Sequence, residues 1–234
     1  MKVLQKGFNY SQDGPGNRLV YHLQGCNFAC KWCSNADSIP LENPEAKEIT
    51  ADEIFDEIMR SRPMFFDGGG VTFTGGECTL HFSELLPLFK RLRGAGVSVC
   101  AETNGSHPDL RLLAEYIDCL IIDCKLTDDE AHKKYTGASN RKTLENIEFF
   151  LRSGRELHIR IPLINGVNTG ARDFAEYFSR FDTSHCDFEF LPYHEFGKDK
   201  WQGKYEMTDA FVSAETVGEF ERIFNEYGLK TVKT

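Results

Sequence analysis

The chain has 234 residues, 41% of them hydrophobic, and a formal net charge of −9. That length can bury a sizeable core, and so acidic a balance argues against a broad phosphate-binding surface and a nucleic-acid partner. No apolar run reaches the length of a membrane span and the amino terminus has no secretory pattern, so a cytoplasmic protein with no membrane partner is expected.

Asp13-Gly14-Pro15-Gly16 is a strong turn signal, rich enough in glycine to let backbone approach a partner closely. A strand follows over Arg18–Gln24, with Leu19, Tyr21 and Leu23 on one face. It leads directly into a loop where Cys26, Cys30 and Cys33 stand at spacing C-x3-C-x2-C. Three thiolates on one short loop suit three corners of a cubane iron–sulfur cluster. With no fourth cysteine at a matching spacing, one iron keeps an open position able to bind a substrate. The alternatives fit less well. Structural zinc wants four ligands, commonly in separated pairs, and three cysteines leave one unpaired in any disulfide scheme. Five cysteines remain, Cys78, Cys100, Cys119, Cys124 and Cys186, and four of the five fall in or beside apolar runs as small buried hydrophobes.

Thr50 and Glu53 have the form of a capping box before a helix with Ile54, Phe55, Ile58 and Met59 on its apolar face. A second strand, Val71–Thr74, ends at Gly75-Gly76-Glu77. The next helix carries Phe82, Leu85, Leu86, Phe89 and Leu92; a Ser83 cap would put Pro87 near its first turn, where proline costs little. Further strands are predicted at Val97–Ala101, Leu120–Asp123, Leu157–Ile161 and Phe188–Leu191. Between them lie helices around Leu110, after a capping box at Thr127 and Glu130, before Gly154, and over Phe174 to Phe181; a last helix closes at Gly228. Six strands alternating with helices imply an α/β fold with parallel strands, either a partial barrel or an open doubly wound sheet. In both, the active site lies at the carboxyl ends of the strands. The cysteine loop, Gly75-Gly76-Glu77, Glu102-Thr103-Asn104-Gly105, Asp123-Cys124-Lys125, Arg160 and Tyr193-His194 all fall at or near those ends.

Together with Gly68-Gly69-Gly70-Val71, Gly137-Ala138-Ser139-Asn140, Leu191-Pro192-Tyr193-His194-Glu195, Gly197-Lys198 and Lys200-Trp201, these motifs resemble the glycyl-radical enzyme activating enzymes of the radical S-adenosylmethionine superfamily. Within that family the resemblance is nearest to the members that activate pyruvate formate-lyase. It runs nearly end to end and implies a single radical S-adenosylmethionine core domain over 1–234, a partial (β/α)6 barrel. It also implies one 4Fe–4S cluster on Cys26, Cys30 and Cys33, whose open iron binds the methionine end of S-adenosylmethionine. By the same resemblance Gly75, Gly76 and Glu77 lie near the cofactor's amino group, and Asn35, Lys125, Arg160 and His194 contact the cofactor or the bound partner loop. Asp13 meets the glycine loop of a partner glycyl-radical enzyme, from which a hydrogen atom is removed. The electron comes from a flavodoxin or ferredoxin.

Two departures stand out. Ser34 replaces a histidine, giving a run more like the activators of dehydratases and decarboxylases. Those usually carry an inserted ferredoxin-like domain, yet the short stretch from Cys33 to Gly68 has no cysteine to hold a further cluster. Glu102 stands where relatives have aspartate, which with Asp123 forms a monovalent-cation site.

Overall fold

The computed structural model describes residues 1–201 and 205–233. In chain order the strands and helices are β1 (Lys2–Tyr10), β2 (Asn17–Leu23), β3 (Lys47–Glu48), α1 (Ala51–Ser61), β4 (Gly70–Gly75), α2 (Phe82–Gly94), β5 (Val99–Thr103), α3 (Leu110–Ala114) and β6 (Cys119–Asp123). Then come α4 (Asp129–Thr136), α5 (Arg141–Ser153), β7 (Leu157–Leu163), α6 (Ala171–Phe178), β8 (Cys186–Pro192), α7 (Ala214–Glu226) and β9 (Thr231–Val232). All six predicted strands are present. The additions are β1, β3 and β9.

The chain gathers into two compact units. The first holds Met1–Asn27, Asp37–Thr103 and His107–Ile121; the second holds Phe28–Ala36, Asn104–Ser106 and the chain from Ile122 onward. In the first, neighbouring strands run in the order β3-β1-β2-β4-β5, and in the second β7-β8-β9. β2 pairs parallel with β4, β4 with β5, and β7 with β8 and β8 with β9. This is the α/β class with successive parallel strands that the sequence predicts. β1 departs from it, pairing antiparallel with β2 through the turn that carries Asp13.

β2 is buried on both faces, which explains its near-continuous apolar run. In the first unit Tyr21 stacks on Phe73, centroids 5.4 Å apart, and Phe73 meets Phe89 of α2 at 5.0 Å. Helix α1 adds Ile54 and Ile58, both fully buried. In the second unit Phe178, Phe188 and Phe224 form a ring cluster with centroid separations of 4.8 and 5.3 Å. Among the described residues no helix is long and apolar enough to cross a membrane.

The Thr50 capping box forms as predicted: the Thr50 hydroxyl accepts from the Glu53 amide at 3.2 Å and Glu53 accepts from the Thr50 amide at 2.9 Å. Thr50→Ala is expected to cost about 1 kcal/mol by chemical denaturation, and a loss below a few tenths would show the cap to be idle. Two other caps need correction. Helix α2 begins at Phe82 after a 3-10 turn over Cys78–His81, so Ser83 is inside it and is not its cap. Pro87 therefore sits in the helix interior, where it cannot donate the helical bond to the Ser83 carbonyl. Helix α4 is capped by Asp128, whose carboxylate accepts from the Ala131 amide at 2.7 Å, and not by Thr127. Aspartate accepts this bond as well as threonine does, and the residue one place later wins.

Candidate functional site

In the first unit, the ends of β2 and β4 are fastened together where the cysteine loop begins. The Gly76 amide donates to the Leu23 carbonyl at 2.9 Å and the Glu77 amide to the Gly25 carbonyl at 2.8 Å. Nothing larger than glycine fits there. A Cβ on Gly75, whose φ is +114°, would stand 2.3 Å from the Leu23 nitrogen, and one on Gly76 would stand 2.2 Å from the Gly25 oxygen. Beyond them, the Gly25 amide donates to Ser38 at 2.8 Å and the Cys26 amide to Ile39 at 3.1 Å, which fixes the entry to the loop. Glu77 is buried, and its Oε1 accepts from the Thr79 amide at 3.0 Å and from the Thr79 and Thr103 hydroxyls at 2.5 and 2.6 Å. This carboxylate thus caps the turn that follows and ties it to β5. Glu102, at the end of β5, accepts from the Thr74 hydroxyl at 2.9 Å.

Asp13 sits in the turn between β1 and β2, where its carboxylate accepts from Asn9. Its carbonyl accepts from the Thr72 hydroxyl at 2.7 Å. Beneath the turn lies Arg18, fully buried, a residue that sequence reasoning left on a strand face without a role. Its guanidinium donates to Thr72 Oγ1 and the Val71 carbonyl, both at 2.8 Å, and to the Ser98 and Pro15 carbonyls at 3.1 Å. A buried arginine needs its five donors satisfied, and carbonyls of the Asp13 turn, β4 and the approach to β5 do this here. The available signal was a charged residue directly before the apolar run Leu19-Val20-Tyr21.

In the second unit, the remainder of the cysteine loop lies across the end of α4. The Ala29 amide donates to Thr136 at 2.7 Å and the Lys31 amide to Tyr135 at 3.0 Å, so the loop satisfies carbonyls that a helix end leaves without partners. Phe28 meets His132 edge to face at 5.2 Å. The loop then tightens through a Cys33 amide to Cys30 carbonyl bond of 3.0 Å. Burial pushes the Cys30 thiol up to about 12, against the opposing pull of the Lys125 ammonium. For Lys125 burial works downward, but Asp123 and Cys30 outweigh it and its pKa is raised. Lys125 Nζ lies 2.7 Å from Asp123 Oδ2. Cys30, Cys33, Asp123 and Lys125 are thus within electrostatic reach of one another.

Arg160 is held by a residue that the sequence reading missed. Its Nε donates to Glu189 Oε2 at 2.6 Å, and His158 Nε2 lies 2.9 Å from the same oxygen. Arg160 and Glu189 are register partners on the parallel strands β7 and β8, and Glu189 is 2% exposed. Matching charges at paired strand positions were the signal. His194 is exposed past the end of β8; its ring stacks on Phe196 at 4.6 Å and its Nδ1 accepts from the Phe196 amide at 3.4 Å. Asn35 Oδ1 accepts from Lys200 Nζ at 2.9 Å.

All eight cysteines lie outside disulfides. Among the described residues no three His, Cys, Asp or Glu side chains stand ready to share a single metal ion. A cubane does not ask them to, because each thiolate binds its own iron. The donor set fits such a cluster: Cys30 is a buried thiol beside a cation, and binding iron would favour the thiolate that burial opposes.

The comparisons with known proteins point to one superfamily. Residues 20–178 match the model of the radical SAM superfamily. The chain is 33% identical over 205 residues to the pyruvate formate-lyase-activating enzyme of Streptococcus mutans, covering 82% of this chain and 77% of that one. It is 32% identical over 232 residues to the pyruvate formate-lyase 1-activating enzyme of Escherichia coli, covering 94% and 93%. A crystal structure of a domain of pyruvate-formate lyase-activating enzyme from Bacteroides vulgatus superposes with a TM-score of 0.59 at 30% identity, over 70% of this chain and 98% of that one.

Proposed function

The chain belongs to the radical SAM superfamily, and from that premise we propose that it is an activating enzyme for a glycyl-radical enzyme, with pyruvate formate-lyase or a relative as its protein substrate. One observation carries the proposal: the likeness to enzymes of that name extends over 94% of the chain. When bound, the 4Fe–4S cluster and S-adenosylmethionine supply a one-electron reductive cleavage whose outcome is loss of a hydrogen atom from a backbone glycine of the partner.

The protein's part is to bind and position. Cys26, Cys30 and Cys33 hold the cluster. Gly75 and Gly76 keep the β4 end pressed on the cysteine-loop entry and Glu77 fixes the following turn, so this stretch would offer the cofactor's amino group a preformed binding surface. Lys125, held by Asp123, offers a buried cation, while Asn35, Arg160 and His194 face cofactor or partner loop. Glu102 and Asp123 stand where relatives hold a monovalent cation with two aspartates, and the longer Glu102 side chain would shift or abolish such a site. Asp13, at an exposed turn, receives the glycine loop. A flavodoxin or ferredoxin supplies the electron, and a thiolate-held cluster suits the reducing cytoplasm.

The test is anaerobic incubation with candidate glycyl-radical enzymes, pyruvate formate-lyase first and a dehydratase or decarboxylase second. The glycyl doublet is followed by electron paramagnetic resonance and 5′-deoxyadenosine by chromatography. Asp13→Asn is expected to lower doublet formation about tenfold while sparing cleavage without partner, because Asp13 touches the loop and not the cluster. Consumption of a small metabolite with no doublet in any candidate would replace this reading with small-molecule catalysis. Zinc with no labile sulfide would replace it with a non-catalytic binding module.

A further inference from the structure

The segment after β8 returns across the cysteine loop and meets three of its consecutive residues, Cys33 to Asn35, and Lys31 before them. Trp201 Nε1 donates to the Cys33 carbonyl at 3.0 Å. Lys200 Nζ donates to Asn35 Oδ1 at 2.9 Å. Gly197 lies so close to Ser34 that a Cβ on it would stand 2.0 Å from the Ser34 oxygen. Farther along, Glu206 Oε2 lies 3.2 Å from Lys31 Nζ. Trp201 is steadied in turn by Tyr205, edge to face at 5.3 Å. The chain has two tryptophans, and the other, Trp32, belongs to the same loop.

We infer that Gly197, Lys200, Trp201 and Glu206 form a clasp, with Trp201 as a positioning residue, that holds the Lys31–Asn35 half of the cysteine loop in the conformation that ligates the cluster. The inference rests on the proposed function for the cluster, but the clasp itself is a property of the bare chain. The reasoning is one of constraint. The first half of the loop is anchored by amides of Ala29 and Lys31 on the end of α4, whereas the Cys33 carbonyl, Ser34 and Asn35 are met by the returning segment. A ligand held at both ends of its loop pays less conformational entropy when it binds iron, and partners outside the ligand shell of metal sites commonly set affinity and lability. The indole is suited to this task because it donates one directed hydrogen bond from a large, buriable ring.

The test separates the indole N–H from the ring around it. In Trp201→Phe, which keeps the aromatic packing, amide hydrogen exchange over residues 31–35 of the cluster-free protein is expected to accelerate about tenfold. Iron release from the reconstituted protein to a chelator is expected to accelerate about tenfold as well. Trp201→His, which keeps a ring N–H, should recover part of both. Gly197→Ala tests the close approach to Ser34 and should lower cluster content further. A role in stability alone would lower the melting temperature of Trp201→Phe with exchange in residues 31–35 and iron release unchanged, and that result overturns the clasp. If the parent takes up no cluster, the proposed function falls; faster exchange in Trp201→Phe would then leave a loop clasp with no cluster to serve, and the inference would be overturned with it.

Discussion

Replacing Cys30 with alanine is expected to abolish cluster assembly and, with it, cleavage of S-adenosylmethionine. Substituting groups outside the ligand shell of a metal site commonly costs 10- to 100-fold, so losing a ligand should exceed about a hundredfold. Cys26→Ala and Cys33→Ala should behave alike, since two thiolates cannot fix a cubane that needs three. Cys186 lies buried in β8 and Cys119 at the start of β6, and alanine at either should leave cleavage intact. The measurement is iron and labile sulfide per chain, with 5′-deoxyadenosine under reducing conditions. Parent-level 5′-deoxyadenosine from Cys30→Ala would refute the ligand assignment.

The second large effect is expected at Glu189. It is the buried carboxylate to which Arg160 donates at 2.6 Å, so Glu189→Ala leaves a guanidinium in the interior facing an emptied site. Breaking a buried pair from one side costs about 3 kcal/mol or more, well beyond the cost of an exposed pair. Denaturant titration of Glu189→Ala should show a loss of that size. Replacing both residues with methionine should recover much of it, because an apolar pair leaves no unpaired charge. A loss below about 1 kcal/mol would mean that water or another group takes over the Arg160 guanidinium and that this pair is not worth a buried one.

Much of this was legible in the chain. Strands β2, β4, β5, β6, β7 and β8 announced themselves through short apolar runs, and the three cysteines through their spacing, because both signals are local. What escaped depended on burial or on pairing across the sheet. β1 has mostly exposed residues from Gln5 to Phe8, so it shows no core-facing alternation, and only its pairing with β2 makes it a strand. Arg18 and Glu189 read as polar strand positions, since a charged residue is ordinarily exposed and the partners that bury these two lie across the sheet. Ser83 looked like a cap until the Cys78–His81 turn moved the helix start ahead of it. The Gly197, Lys200 and Trp201 motif was visible as a motif, but its contacts lie some 165 residues away along the chain.

The Arg18 network also bears on the order in which the chain can assemble. Its guanidinium bonds reach partners 54 and 80 residues away, and the Asp13 carbonyl is fixed by a hydroxyl 59 residues away. Contacts so distant form only after the intervening loops have closed, which makes them late events. The turn bearing Asp13 therefore acquires its shape after β4 and the approach to β5 are in place. During synthesis, the partner recognition proposed for that turn must wait until at least Ser98 has left the ribosome, however early the turn residues themselves emerge.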